Sequence, residues 1–134
     1  MRYMLMRKAD AATEAGDPPD EGVLAAMADY NRRLAEAGVF VSGEGLRPSR
    51  EGCRIERRNG EVLVTDGPFA ETKEQLAGFY LLEARDLNEA LRLAGRIPPA
   101  RFGTIEVRPV RQLPPRDPAP EASPSRPSAG GESP

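Results

Sequence analysis

The first apolar run, Tyr3-Met4-Leu5-Met6 within Arg2–Arg7, has no polar interruption and predicts a short strand covered on both faces. Lys8 to Pro19 is polar, with Gly16, Asp17 and two prolines, and it ends at Asp20, a residue suited to capping a helix. From there Val23, Met27, Tyr30 and Leu34 recur at helical spacing, Leu24 widens the stripe, Arg32, Arg33 and Glu36 fall away from it, and Gly38 stops it. Val39 to Ser42 predicts a second strand, and Gly43-Glu44-Gly45 a bend or bulge after it. Cys53 to Arg58 alternates ahead of Asn59-Gly60, with Val62, Leu63 and Val64 beyond, which is a strong hairpin signal.

Thr65-Asp66-Gly67-Pro68-Phe69 then breaks the chain with turn residues, and Thr72-Lys73-Glu74-Gln75 has capping-box spacing for one helical turn. Gly78 to Ala84 predicts another strand. Asp86 with Glu89 caps a second helix whose stripe is Leu87, Ala90, Leu91, Ala94 and Ile97, ended by Pro98-Pro99. Thr104 to Val110 alternates as a half-buried last strand, which Pro109 puts near an edge or a terminus. The order β-α-β, hairpin, β-α-β predicts a ferredoxin-like α+β sandwich with the hairpin between its halves. Helices cover one face of such a sheet, so the apolar residues on both sides of the first strand and of Gly78–Ala84 predict a homodimer packed sheet to sheet.

Composition divides the 134 residues into a domain over 1–112 and a tail over 113–134. From Pro114 onward there is no Val, Ile, Leu, Met or aromatic residue, and half of the 14 prolines fall there, so a disordered Pro/Ser-rich tail is expected. The amino-terminal apolar run is too short for a signal segment or a membrane span, which predicts a cytoplasmic protein with no membrane partner. With no histidine there is no Ser-His-Asp or Cys-His triad and no imidazole ligand, and Cys53 alone builds neither a disulfide nor a thiolate cluster. No metal site and no cofactor are expected. A net charge of −2 offers no basic field, so no nucleic-acid partner is expected either.

The run Asp66-Gly67-Pro68-Phe69-Ala70-Glu71-Thr72-Lys73-Glu74, with RYMLM, VFVSGEGL and Ile105-Glu106-Val107-Arg108-Pro109-Val110, resembles the DGPF-motif branch of the YCII-related family over nearly everything except the tail. The resemblance implies a dimeric α+β barrel, in agreement with the element order. The YCII group is associated with a His-Asp pair proposed for acid-base work on small molecules, of which a chain without histidine retains only the carboxylate half. The DGPF branch is often encoded beside extracytoplasmic-function sigma factors, which implies a possible protein partner.

Each candidate residue carries two readings. Asp66 either opens a turn, in which Gly67 supplies conformational freedom and Pro68 fixes φ, or sits in a cleft where burial raises its pKa for acid-base work. Glu44 is a second candidate acid, flanked by glycines that allow close backbone approach and equally suit a bulge. Glu71 and Lys73 either flank a pocket mouth, where the lysine binds an anion, or complement a short helix starting near Ala70. Arg54, in the arginine-rich stretch from Arg47 to Arg58, either holds an anion or belongs to a solvated strand face. Tyr80, like Tyr30, falls on a core face with its hydroxyl at the barrel edge, a candidate ligand contact or a packing residue. Two functions follow: a small-molecule binder or enzyme with Asp66, Glu44 and arginines in a barrel cleft, or a non-catalytic accessory dimer that contacts a protein such as a sigma factor through the arginine hairpin or the tail.

Overall fold

The structure is a computed structural model that describes residues 1–71, 74–98 and 103–114. Its main sheet has four strands, β1 (Arg2–Lys8), β2 (Phe40–Gly45), β5 (Leu76–Glu83) and β6 (Ile105–Pro109), in the order β2-β5-β1-β6. All neighbours are antiparallel. β3 (Cys53–Arg58) and β4 (Glu61–Asp66) form a separate two-stranded hairpin. The helices are α1 (Ala11–Ala15), α2 (Glu21–Glu36) and α3 (Leu87–Ala94). This is the ferredoxin-like α+β arrangement expected from the sequence, with an open sheet rather than a closed barrel in the single chain.

Local chemistry accounts for the element ends. The Asp20 side chain accepts from the Val23 N–H at 2.8 Å to start α2, and Asp86 accepts from Glu89 N–H at 2.9 Å to start α3. Asn59 and Gly60 both have positive φ, 52° and 81°, as a tight hairpin turn with native strand twist requires. Within Lys8–Pro19, α1 is an element that the apolar pattern does not announce. It is held by a reciprocal cap between Asp10 and Thr13 and buries no residue. The second strand runs to Gly45, with its register shift between Phe40 and Ser42, so the two glycines lie inside the ladder and the irregularity precedes them.

The core forms where α2 and α3 meet one sheet face: Tyr3, Leu5, Leu82, Tyr30, Leu34 and Ile97 are all buried. Ala90 and Ala94 are the buried residues of α3, whereas Leu87 and Leu91 stay exposed. Small side chains on the inward line let α3 approach the sheet, so its leucines flank the contact instead of filling it. On the other face Met4, Met6, Phe79 and Leu81 alternate with the core residues and are half-buried. No helix among the described residues is long and apolar enough to cross a membrane. The expected tail lies, apart from Leu113 and Pro114, outside the described residues.

Candidate functional site

Strand alternation carries Tyr3, Leu5 and Arg7 to the helix-covered face of β1, so the last of these puts a guanidinium where its neighbours put core. Arg7 stands opposite Gly78, where a Cβ would lie 2.8 Å from the Glu44 carbonyl oxygen. The same face of β5 bears Tyr80, and β2 presents Gly43 to it. A Cβ at Gly43 would stand 2.7 Å from Tyr80 Cδ1, so the ring lies directly against the glycine. Met27 and Asn31 lie one helical turn apart on α2 and close the other side.

These residues, with Leu5 and Phe40, line a cavity of about 120 Å³ between α2 and the sheet. The Tyr80 hydroxyl donates to Asn31 Oδ1. Its ring packs edge-on against Tyr30 at 5.5 Å and Phe40 at 6.3 Å. The Tyr30 hydroxyl donates to the Leu93 carbonyl at 2.8 Å, tying α2 to α3. Burial pushes the Tyr80 pKa up, opposed by the Arg7 charge and the Asn31 bond, and burial pushes Tyr30 up further, so both remain protonated donors at neutral pH.

Arg7 is set apart by being half-buried without an ion pair; Arg50, Arg54, Arg57, Arg96 and Arg111 have no carboxylate partner among the described residues either, but they are exposed. Among the described residues no carboxylate lies within ion-pair distance of it, although Arg2, Arg32, Arg47, Arg58, Arg85 and Arg108 each have one. Asp10 is near enough for the Arg7 charge to help lower its pKa, but that carboxylate is engaged first by the Thr13 N–H of α1. Three or more His, Cys, Asp or Glu side chains grouped to hold a metal ion are absent among the described residues.

The sequence-predicted residues divide between two regions. Tyr80 and Glu44 border the cleft, Glu44 at its rim; the register puts Glu44 level with Phe79 on the opposite sheet face from Tyr80, and it is exposed. Asp66, exposed, ends β4 and opens a turn that docks elsewhere. In that turn Gly67 N–H donates to Gly52 O at 3.0 Å, and Phe69 N–H donates to Ser49 Oγ at 3.2 Å. Arg54 lies 3.8 Å over the Phe69 ring, a cation–π contact within the same unit. Ser49, in a single 3-10 turn over Ser49–Glu51, donates its N–H to Glu14 of α1 at 2.9 Å, and its hydroxyl donates to the same carboxylate. The motif is thus tied through Ser49 to α1. Glu71 is exposed, and its carbonyl accepts from Glu74 N–H and the Gln75 side chain. Lys73 lies outside the described residues. Sequence reasoning missed Arg7 and Asn31. Their signals were present: Arg7 is two residues beyond Leu5, and Asn31 is one turn beyond Met27.

Comparison with known proteins adds the family. The model of the YCII-related domain matches residues 1–114. The chain belongs to the YCII-related family. This YCII-related chain is 41% identical over 93 residues to an uncharacterized protein of Rhizobium meliloti (strain 1021), a match that covers 68% of this chain and 75% of that protein. Among solved structures it is similar to 5-chloro-2-hydroxyhydroquinone dehydrochlorinase from Burkholderia phenoliruptrix in complex with 2,5-dihydroxybenzoquinone. That likeness has 14% identity and a TM-score of 0.49, covering 84% of this chain and 96% of that one.

Proposed function

We propose that this YCII-related protein binds a small anionic molecule in the cleft between α2 and the sheet. The observation that carries the reading is Arg7, a half-buried guanidinium with no ion-pair partner among the described residues, lining the same cavity as the Tyr80 hydroxyl and Asn31. An anion there gains a two-pronged contact from Arg7 in partly desolvated surroundings. Glu44 reaches the rim from the opposite sheet face, so its carboxylate takes no acid-base role in this cleft. For Asp66 the docking of its turn favours the structural role, with Arg54 and Phe69 as part of that dock.

The protein acts as a homodimer on this reading, its open faces packed together through Met4, Met6, Phe79 and Leu81 to complete the α+β barrel. Such a contact removes an apolar stripe from water. Wild-type protein sediments as a dimer at micromolar concentration and Leu81→Arg as a monomer; a monomeric wild type removes the barrel. For the cleft, phosphate and acetate raise the melting temperature of the wild type and not of Arg7→Gln. Equal shifts in both proteins, or none in either, would refute the anion site. Exposure of Ile55, Val62 and Val64 along one side of an arginine-bearing hairpin favours a second reading, contact with a protein partner such as an extracytoplasmic-function sigma factor. Purification of the native complex decides it: the homodimer alone, recovered in mild salt, counts against that partner.

A further inference from the structure

Resting on the anion cleft proposed above, we infer that its ligand is an amphiphilic monocarboxylate, an acid group on an unbranched apolar chain, whose head meets Arg7 and whose chain lies in the groove outside. Arg7 borders two spaces. One is the inner cavity of about 120 Å³, and the other is a groove of about 480 Å³ between α2, the connection that precedes it and the segment that follows β2. The two share Arg7, Met27, Gly45 and Ala77, so the guanidinium stands at their junction.

The inner cavity is smaller than the core cavity of roughly 150 Å³ that is known to accept a benzene molecule. It therefore takes a head group, and the body of any larger ligand must run outward. The outward groove has an apolar lining that the fold does not use. Leu24 on α2 and Leu46 after β2 are 51% and 50% exposed, and both line it, with Val23, Pro18 and Pro48 beside them. Large apolar side chains from separate elements converging on one groove offer burial to a hydrocarbon chain.

Most charges around this groove are already engaged, although the Asp17 carboxylate, which also lines it, has no ion-pair partner among the described residues. Arg47 pairs with Glu51 at 2.6 Å, Arg50 donates to the Glu14 carbonyl at 3.0 Å, and Asp10 caps α1. One unengaged cation beside neutral donors matches a single negative charge better than a doubly charged phosphate, and the planar guanidinium matches a carboxylate. A single charge at one end and an apolar floor leading away from it describe the two halves of such an amphiphile.

The test is calorimetric titration of the full chain with acetate, butyrate, hexanoate and octanoate, alongside octanol, all below micelle-forming concentration. Affinity is expected to rise about two- to fourfold for each added methylene from butyrate to octanoate. Arg7→Gln should weaken octanoate about tenfold or more. Leu24→Ser with Leu46→Ser should flatten the chain-length dependence while acetate binding is unchanged. Because both leucines are half exposed, the double variant keeps its fold, which its melting temperature verifies.

Acetate and octanoate binding equally well through Arg7 would overturn the amphiphile and leave the anion cleft standing. Octanol binding as tightly as octanoate, or octanoate affinity untouched by Arg7→Gln, would overturn the placement of the head group. Failure of every carboxylate would overturn both this inference and the anion cleft. A dimer that the double leucine variant dissociates would assign the groove to a second copy and also overturn the proposal.

Discussion

Replacement of Gly67 by alanine tests the account of the DGPF turn most directly. A Cβ at that position would stand 1.8 Å from the Ser49 carbonyl oxygen, 2.5 Å from its carbon and 3.1 Å from Arg50 N. All three are backbone atoms, so no side chain can rotate aside; the turn itself must retreat by more than 1 Å to reach ordinary contact. That retreat stretches the Gly67 N–H bond to Gly52 O, now 3.0 Å, and the Phe69 N–H bond to Ser49 Oγ, now 3.2 Å. Overpacking of this kind costs about 1–3 kcal/mol. A weakened hydrogen bond adds about 1 kcal/mol, so Gly67→Ala should destabilise by about 2–4 kcal/mol. For a domain of this size that lowers the melting temperature by about 10–20 °C. The assay is urea unfolding followed by far-ultraviolet circular dichroism, with two control substitutions. Gly45 has nothing within 4 Å of its Cβ position and no positive φ, so alanine there should stay within about 0.5 kcal/mol of wild type. Gly60 also has open space but a φ of +81°, so alanine should cost about 1 kcal/mol through backbone strain alone. The reasoning fails if Gly67→Ala is no less stable than Gly60→Ala.

Three further outcomes are expected. Asp20→Ala removes the acceptor for Val23 N–H and should destabilise by about 1 kcal/mol in the same urea assay, which Asp20→Asn largely restores. Tyr30→Phe removes one donor to the Leu93 carbonyl, which keeps the Arg96 N–H at 3.1 Å, and should cost about 1 kcal/mol or less, with the core spacing otherwise kept. Glu14 has its pKa lowered below 4.5, first by the Ser49 hydroxyl and next by the Ser49 N–H. Its stabilisation is therefore full above the unfolded pKa and is lost as pH falls through the lower folded value. Ser49→Ala should accordingly flatten the decline of stability between about pH 5 and pH 3, measured by urea unfolding at each pH.

Much of the fold was legible because short-range chemistry and burial agreed. Asp20 and Asp86 cap the helices that their spacing announced, and Asn59-Gly60 turns the hairpin. Where the reading missed, a tertiary contact decided. α1 rests on the Asp10–Thr13 cap and on bonds from the remote Ser49 and Arg50, with no apolar stripe to reveal it. Gly43 and Gly45 look like chain breakers, but both lie in the sheet, where Gly43 admits the Tyr80 ring and Gly78 opposite Gly45 admits the β2 backbone. The candidate site was less legible. Tyr80 and Glu44 were visible as types in suggestive places, whereas Arg7 looked like the polar end of a strand. Only its parity with Tyr3 and Leu5 turns it inward.

The position of β1 has a bearing on how the chain acquires its shape. Of the strands in its sheet this segment is synthesised first, but its neighbours are residues 76–83 on one side and 105–109 on the other. During synthesis it waits, with an apolar run exposed, until nearly the whole domain has been made. A fragment that stops before Ile105 leaves that strand with a raw edge, so nascent chains arrested there should be the species most prone to aggregate and to recruit chaperones.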